Sequence, residues 1–368
     1  MSQMGVSLSD ICTPGIDCRL PDDSIKNFKS MEIPQLVLIT FNGILPADIS
    51  QKLFNANRRN PDDCPVSMTT FASTADVDIG SAYAEIQRGM EVSLLGDIDF
   101  TNETEKSAYN VILRVKTEMA AKIPHLQKVL GWRSSDPGMA GRKLFNALSY
   151  IGFTYDSTLM VNKPRDGVSF QWPFRLTRGW TLPPCDTRGH CNQGDFPNLM
   201  EFPMTSMFSD RLNINCYTLR NCSTLPGIES IRNLLLANLR EFYIGNRAPF
   251  LIQIDSDWLQ SGRGYVQNIE AFLNQLSLFD DIYIVSVENA VKWLHNPYPV
   301  SRLHLFREWQ CPLQSSAINK PFRTYPQRTE ARRSRGGAAE GPDSPPEAIR
   351  PDSPLFSWDS KTRKEKGE

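Results

Sequence analysis

Apolar and polar positions along this chain follow two alternating spacings. Short runs of apolar and β-branched residues predict buried strands, and these runs are "LVLITF", "VSMTTFAS", "MEVSLLGD", "KVLGWRS", "YDSTLM", "LMEFPM", "PFLIQID" and "IYIVSV". Between them, apolar residues recur every three or four positions, which predicts amphipathic helices. The helical stretches are "ADISQKLFNAN", "TEKSAYNVILRVKTEMAAKI", "GRKLFNALSYIG", "ESIRNLLLANLREFYIG", "YVQNIEAFLNQLSLF" and "VENAVKWLHN".

The alternation of strands and helices predicts the fold class. Strand–helix–strand repeats produce a parallel sheet with right-handed crossovers, and strands that are apolar throughout are covered on both faces. Seven or eight such units predict an α/β fold, a closed or nearly closed (β/α)7-8 barrel. Functional side chains of such a barrel gather at the carboxyl ends of the strands. Asn42 and Gly43 follow the first predicted strand.

Changes in composition divide the chain into three predicted parts. Residues 1–33 form a cysteine-bearing arm, residues 34–312 the barrel, and residues 313–368 a charged, Pro- and Gly-rich tail that we expect to be disordered. Residues 163–210 interrupt the strand–helix rhythm with many Pro, Gly and aromatic residues. They predict a surface insertion pinned by a disulfide.

Size and charge exclude some classes of partner. The 368 residues can bury a large core. A net charge of −1 gives no reason to expect nucleic acid or an acidic membrane as a partner. No apolar run is long enough to span a bilayer. We therefore expect a monomer without a membrane span.

The eight cysteines favour disulfides over metal sites, because no pair has the C-x-x-C spacing of a zinc knuckle. Spacing alone leaves the connectivity open. The candidate pairs are Cys185–Cys191, Cys216–Cys222 and, over a long range, Cys64–Cys311.

Two glycosylation tripeptides, at Asn102 and Asn221, fit a secreted glycoprotein. The first residues, "MSQMGVSLSDIC", show no features of a signal peptide. Two interpretations follow: a missing start, which we favour, or reduced cysteines in a cytosol.

An ordered series of blocks resembles a known family. The blocks are "PQLVLITFNG", "CPVSMTTFAS", "GMEVSLLGDID", "IGFTYDSTLM", "WPFRL", "LMEFPMT", "NRAPFLIQIDSDW" and "IYIVSVENAVKWLHNP". From about Cys12 to Pro312 the chain is similar to the polysaccharide deacetylases of carbohydrate esterase family 4, and in particular to the secreted animal chitin deacetylases. The resemblance implies a distorted barrel that removes N-acetyl groups with a divalent metal, usually zinc.

The positions that the resemblance assigns to the metal ligands are changed. A catalytic zinc needs an aspartate and two histidines and keeps open coordination positions. The matching residues are Gly43, Leu95 and Asp99, of which the first two supply no ligand atom. The resemblance therefore implies a lost zinc site and predicts no cofactor.

The positions assigned to proton transfer are changed as well. The base that accepts the proton of water matches Asn42, and the histidine that protonates the leaving amine matches Asp255. The aspartate after the Trp-Pro pair matches Thr177, while Arg133, which steadies the base in the family, is retained. The sequence thus predicts a degenerate catalytic site.

Two sets of residues leave alternatives open. Asp97, Asp99, Asp255 and Asp257 follow two strands that we expect to be close in the barrel, and carboxylates suit a hard cation, although solvated loop carboxylates are the favoured interpretation. Trp132, Trp172 and Trp258 are candidates for stacking on sugar rings, against the alternative of ordinary packing.

The leading hypothesis is a deacetylase-like protein that has lost N-deacetylase activity and binds chitin or N-acetylglucosamine-containing glycan. The alternatives are an active hydrolase on non-peptide C–N bonds with a rebuilt site, and a structural protein of an extracellular matrix.

Overall fold

The computed structural model describes residues 25, 28–75, 77–98, 104–123, 129–136, 141–164, 169–177, 195–262 and 264–309. The chain divides into two units, Met1–Gln310 and Cys311–Glu368. All described residues lie in the first unit, so the predicted disorder of residues 313–368 remains a prediction.

Thirteen strands are present in the described residues: β1 (Gln35–Asn42), β2 (Thr69–Ala72), β3 (Glu91–Gly96), β4 (Gly131–Ser134), β5 (Tyr155–Asp156), β6 (Met160–Val161), β7 (Phe174–Leu176), β8 (Phe196–Glu201), β9 (Met204–Thr205), β10 (Met207–Ser209), β11 (Ile214–Cys216), β12 (Phe250–Asp255) and β13 (Ile282–Ile284). Every predicted apolar run overlaps at least one of them.

The main sheet has the order β12-β1-β2-β3-β4-β5-β8-β7, and β13 pairs with the first residues of β1. All of these pairs are parallel except the edge pair β7–β8. The sheet curls into a half-barrel, which confirms the predicted distorted α/β barrel. Two small sheets, β10–β11 and β6–β9, stand outside this order.

Nine α-helices connect the strands in the described part of the chain: α1 (Ala47–Leu53), α2 (Ile79–Gln87), α3 (Glu105–Lys122), α4 (Arg142–Ile151), α5 (Leu219–Ser223), α6 (Ile231–Ile244), α7 (Ser256–Leu259), α8 (Tyr265–Leu276) and α9 (Val287–His295). Side-chain oxygens of Asp78, Thr104, Ser230 and Ser286 accept backbone hydrogen bonds at helix starts. None of the described helices is both long and apolar enough to cross a bilayer.

Two parts of the fold differ from the sequence prediction. Helix α2 was not predicted, because Ile79 and Tyr83 are exposed and the apolar spacing does not mark a buried face. The interval 163–210 is not wholly a surface insertion, since β7 and β8 complete the main sheet and bury Phe174 and Leu199. Burial of these apolar side chains draws both segments into the core.

One of the three predicted disulfides is confirmed. Cys216 and Cys222 form a disulfide with a Cα–Cα distance of 5.3 Å. Cys185, Cys191 and Cys311 lie outside the described residues, so the pairs Cys185–Cys191 and Cys64–Cys311 remain predictions.

The side chain of Glu85 on α2 is buried against β2, where the Thr70 hydroxyl donates to Glu85 Oε2 at 2.9 Å. Burial raises the pKa of Glu85 from 4.5 to about 7, against smaller opposing effects of Thr70 and Arg88. The folded protein therefore keeps a proton that the unfolded chain has already released in this pH interval.

We expect the free energy of unfolding to fall as pH rises from about 4.5 to about 7, by up to ~3 kcal/mol from Glu85 alone. Below this window both states are protonated, and above it both are ionised. The variant Glu85→Gln should flatten the pH profile in urea unfolding, whereas Glu118→Gln on an exposed face of α3 should not. An unchanged slope in Glu85→Gln would refute the assignment.

Candidate functional site

The carboxyl ends of β1 and β12 bring two predicted site residues together. The strands pair in parallel, with Asn42 opposite Asp255. The Asn42 amide Nδ2 donates to Asp255 Oδ1 at 3.2 Å. The residues matched to the base and to the proton donor thus contact each other directly.

Arg133 on β4 is the centre of this polar cluster. Its side chain is fully buried, and Nη1 donates to Asn42 Oδ1 at 3.1 Å and to Thr40 Oγ1 at 2.9 Å. On its other side, Nε donates to the Ser157 carbonyl at 3.0 Å and Nη2 to Ser157 Oγ at 2.9 Å. The guanidinium lies 4.0 Å from the centre of the Phe71 ring. These contacts fix both the position and the amide orientation of Asn42.

A buried carboxyl pair supplies charge near Arg133. Asp156 and Glu201, at the ends of the paired strands β5 and β8, are fully buried. Burial raises the pKa of both groups. Burial also lowers the pKa of Arg133 to about 10, which leaves the guanidinium charged at neutral pH. Arg133 thus provides a positive charge near both carboxyl groups.

Gly43 adopts a backbone conformation that excludes most other residues. Its φ is +91°, in the left-handed region that favours glycine. A Cβ at this position would lie 2.6 Å from Ser256 Oγ. The Gly43 amide donates to the Phe71 carbonyl at 2.9 Å, which holds the strand end in place. A side chain at this position, which is matched to a metal ligand, would therefore have a strained backbone and would displace the Ser256 hydroxyl.

Arg220 on α5 occupies the mouth of the barrel with its positive charge. Its Nε donates to Asp255 Oδ2 at 3.0 Å, and its Nη2 donates to Asp257 Oδ1. These two ion pairs raise the pKa of Arg220 and neutralise carboxylates considered for a hard-cation site. The structure thus places a side-chain cation where that hypothesis places a metal.

The remaining predicted ligand positions do not complete a metal site. Leu95, at the end of β3, pairs in register with Arg133. Asp97 accepts a 2.6 Å hydrogen bond from Ser135 Oγ, and Asp99 lies outside the described residues. Within the described ranges, no group of three or more His, Cys, Asp or Glu side chains could hold a metal ion. The described residues therefore do not fit the zinc that the resemblance implies.

The three candidate tryptophans pack inside the protein. Trp132 is 0%, Trp172 3% and Trp258 4% exposed. Trp132 Nε1 donates to Ser134 Oγ at 3.1 Å, and Trp258 stacks on Tyr265 with ring centres 4.1 Å apart. Their ring faces are covered, so the packing alternative describes them and direct stacking on a sugar does not.

Sequence reasoning missed Thr40, Ser157 and Arg220 as members of the cluster. Thr40 carried a signal, because it is a polar residue inside an apolar strand. Arg220 carried no such signal, because it is 35 residues from Asp255 in the sequence and contacts it only in the folded protein.

Comparison with known proteins gives the following similarities. No family model matches the chain. It is 22% identical over 316 residues to chitin deacetylase 1 of Bombyx mori, covering 80% of this chain and 58% of that protein. It is 24% identical over 324 residues to chitin deacetylase 8 of Bombyx mori, covering 83% and 81%. The chain thus covers less than two thirds of the length of the first relative.

Among solved structures, a polysaccharide deacetylase-like protein from Mycobacterium smegmatis superposes with a TM-score of 0.44 at 16% identity, over 71% of this chain and 91% of that one.

Proposed function

Since the chain is a relative of the polysaccharide deacetylases, we propose that it is a deacetylase-like protein that binds N-acetylglucosamine-type glycans and no longer removes their acetyl groups. Chitin is the first candidate ligand, because both curated relatives are chitin deacetylases. The loss of catalysis and the glycan binding are both parts of this proposal.

The contact between Asn42 and its two neighbours carries the proposal. Arg133 donates to the amide oxygen, and the amide nitrogen donates to Asp255. An amide held in this way accepts no proton from water, so it does not replace a carboxylate base. Removal of one member of a catalytic set commonly lowers the rate by about a thousand-fold or more. Asn42 alone therefore predicts a very slow reaction.

The surroundings of the metal-ligand position support the same conclusion. Gly43 has no ligand atom, and a side chain there would be strained by the positive φ and would displace the Ser256 hydroxyl. The nearby carboxylates of Asp255 and Asp257 are paired with Arg220. A dication at this place would have to displace the guanidinium and, among the residues that the structure describes, would find no group of His, Cys, Asp and Glu ligands to hold it. We propose that the protein acts without zinc.

The disulfide favours an extracellular location for this proposed activity. The Cys216–Cys222 bridge is typical of proteins that fold in an oxidising compartment. We propose that the protein is secreted, which would also bring it into contact with extracellular glycan.

Acetate release and glycan binding test the two halves of the proposal. With the tetramer of N-acetylglucosamine as substrate, we expect no acetate above the buffer rate, with or without added zinc. In a pull-down on insoluble chitin, we expect the native protein, but not a heat-denatured sample, to be retained at physiological salt. Acetate release that a chelator abolishes would disprove the loss of activity, and absence of retention would disprove glycan binding.

A further inference from the structure

A disulfide closes the loop Cys216–Cys222, which runs from the end of β11 through most of α5. The Cys216–Cys222 disulfide joins its two ends at a Cα–Cα distance of 5.3 Å. Inside the loop, Thr218 Oγ1 accepts a 3.1 Å hydrogen bond from the backbone N–H of Asn221, and Leu219 is buried. A loop of this construction loses little conformational freedom when it binds a ligand.

The same loop is attached to the mouth of the barrel. Arg220 forms ion pairs with Asp255 at the end of β12 and with Asp257 beyond it. One turn further along α5, Ser223 Oγ accepts a 3.0 Å hydrogen bond from Trp258 Nε1. Residues of the closed loop are therefore held against the carboxyl end of β12, beside the polar cluster of Asn42.

Tyr217 is an exposed aromatic residue of this loop. Its exposed fraction is 55%, and within the described part of the chain it makes no hydrogen bond or ring contact. The other exposed tyrosines in that part, Tyr83 and Tyr150, lie on helices α2 and α4. Tyr150 is next to the last residue of α4, which leads back to the start of β5, so it lies at the opposite end of the strands. Tyr217 is thus a tyrosine with an exposed side chain at the mouth.

We propose that Tyr217 is the sugar-stacking residue of this protein. The exposed ion pair between Arg220, from the same loop, and Asp257 would form hydrogen bonds with the sugar. An aromatic face packs on the C–H face of a pyranose. The guanidinium and carboxylate offer donors and acceptors for hydroxyl and acetamido groups. The ligand class is a glycan that contains N-acetylglucosamine, and in this respect the inference rests on the proposed function. The covered rings of Trp132, Trp172 and Trp258 leave this role to the loop.

Calorimetric titration with the N-acetylglucosamine tetramer tests the assignment, on protein freed of any N-linked sugar by an endoglycosidase. We expect Tyr217→Ala to bind about ten-fold more weakly than the wild type and Tyr217→Phe within about two-fold, because phenylalanine keeps the ring face. The matched control Tyr150→Ala removes an even more exposed ring, at 77%, and should leave affinity unchanged.

Two failures are distinguishable. If the wild type does not bind the tetramer, the proposed glycan binding is disproved and this assignment with it. If the wild type binds and Tyr217→Ala binds equally well, only the role of Tyr217 is disproved. Near-ultraviolet circular dichroism of each variant shows whether its fold is retained, and Tyr217→Phe gives a second, conservative test of the ring.

Discussion

The variant Arg133→Met is expected to lower the free energy of unfolding by about 3–5 kcal/mol. Arg133 is fully buried and donates four hydrogen bonds, to Thr40, Asn42 and two oxygens of Ser157. Methionine fills part of the volume but donates nothing, so buried acceptors lose their partners. The negative charge of the Asp156–Glu201 pair would also lose its nearby cation, which adds to the cost.

Urea unfolding of purified variants measures this effect. The matched control is Arg114→Met, an exposed arginine on α3 whose ion pair with Glu118 is open to solvent, and it should change stability by less than about 0.5 kcal/mol. The loss of stability in Arg133→Lys should lie between those of Arg133→Met and Arg114→Met. An ammonium group keeps the charge but does not reproduce the planar set of hydrogen-bond donors of a guanidinium. A loss below about 1 kcal/mol in Arg133→Met would contradict the central role of this residue.

The second large effect is expected at Gly43. Gly43→Ala should lower the free energy of unfolding by about 2–4 kcal/mol, through an unfavourable positive φ and through contact of the new Cβ with Ser256 Oγ. Adding Ser256→Gly should restore the share of the unfolding free energy that is lost through the contact with Ser256 Oγ. The share lost through the unfavourable positive φ should remain. Denaturation of both single variants and the double variant separates the two causes.

Gly141→Ala is the control for this series. Gly141 has an extended φ of 167°, and a Cβ there would have no neighbour within 4 Å. The control should therefore be close to neutral. Equal destabilisation of Gly43→Ala and Gly141→Ala would argue against strain at the strand end. Gly43→Asp faces the same backbone and contact costs as Gly43→Ala, so a metal ligand cannot be restored here by one substitution without loss of stability.

The fold was largely predictable because runs of apolar residues indicate which segments are buried. Strands such as β1 and β12 are apolar over most of their length, and their alternation with amphipathic helices determines a parallel sheet. The edge strand β7, antiparallel to β8, was not predictable in this way, whereas β8 overlaps the predicted apolar run "LMEFPM". Proline and glycine residues around β7 suggested a loop, while the side chain of Phe174 is in fact buried.

The candidate site was predictable only in part. The carboxyl-end positions of Asn42 and Asp255 followed from the strand assignment. Their contact did not, because it depends on the pairing of β1 with β12, which the strand assignment left open. The charge balance at the mouth was not predictable from the sequence, because it depends on how the disulfide-closed loop places Arg220 between Asp255 and Asp257. The burial of Trp258 was also not predictable, because a tryptophan near the end of a strand can have either an exposed or a packed ring.

The pairing of β1 has a consequence for synthesis on the ribosome. Asn42 is hydrogen-bonded to Asp255, 213 residues later in the chain, and the start of β1 pairs with β13, later still. A nascent chain therefore carries this apolar strand with one edge unpaired until almost the whole barrel has been translated. Unpaired strand edges promote aggregation, so the emerging polypeptide is expected to need a chaperone until β12 leaves the exit tunnel.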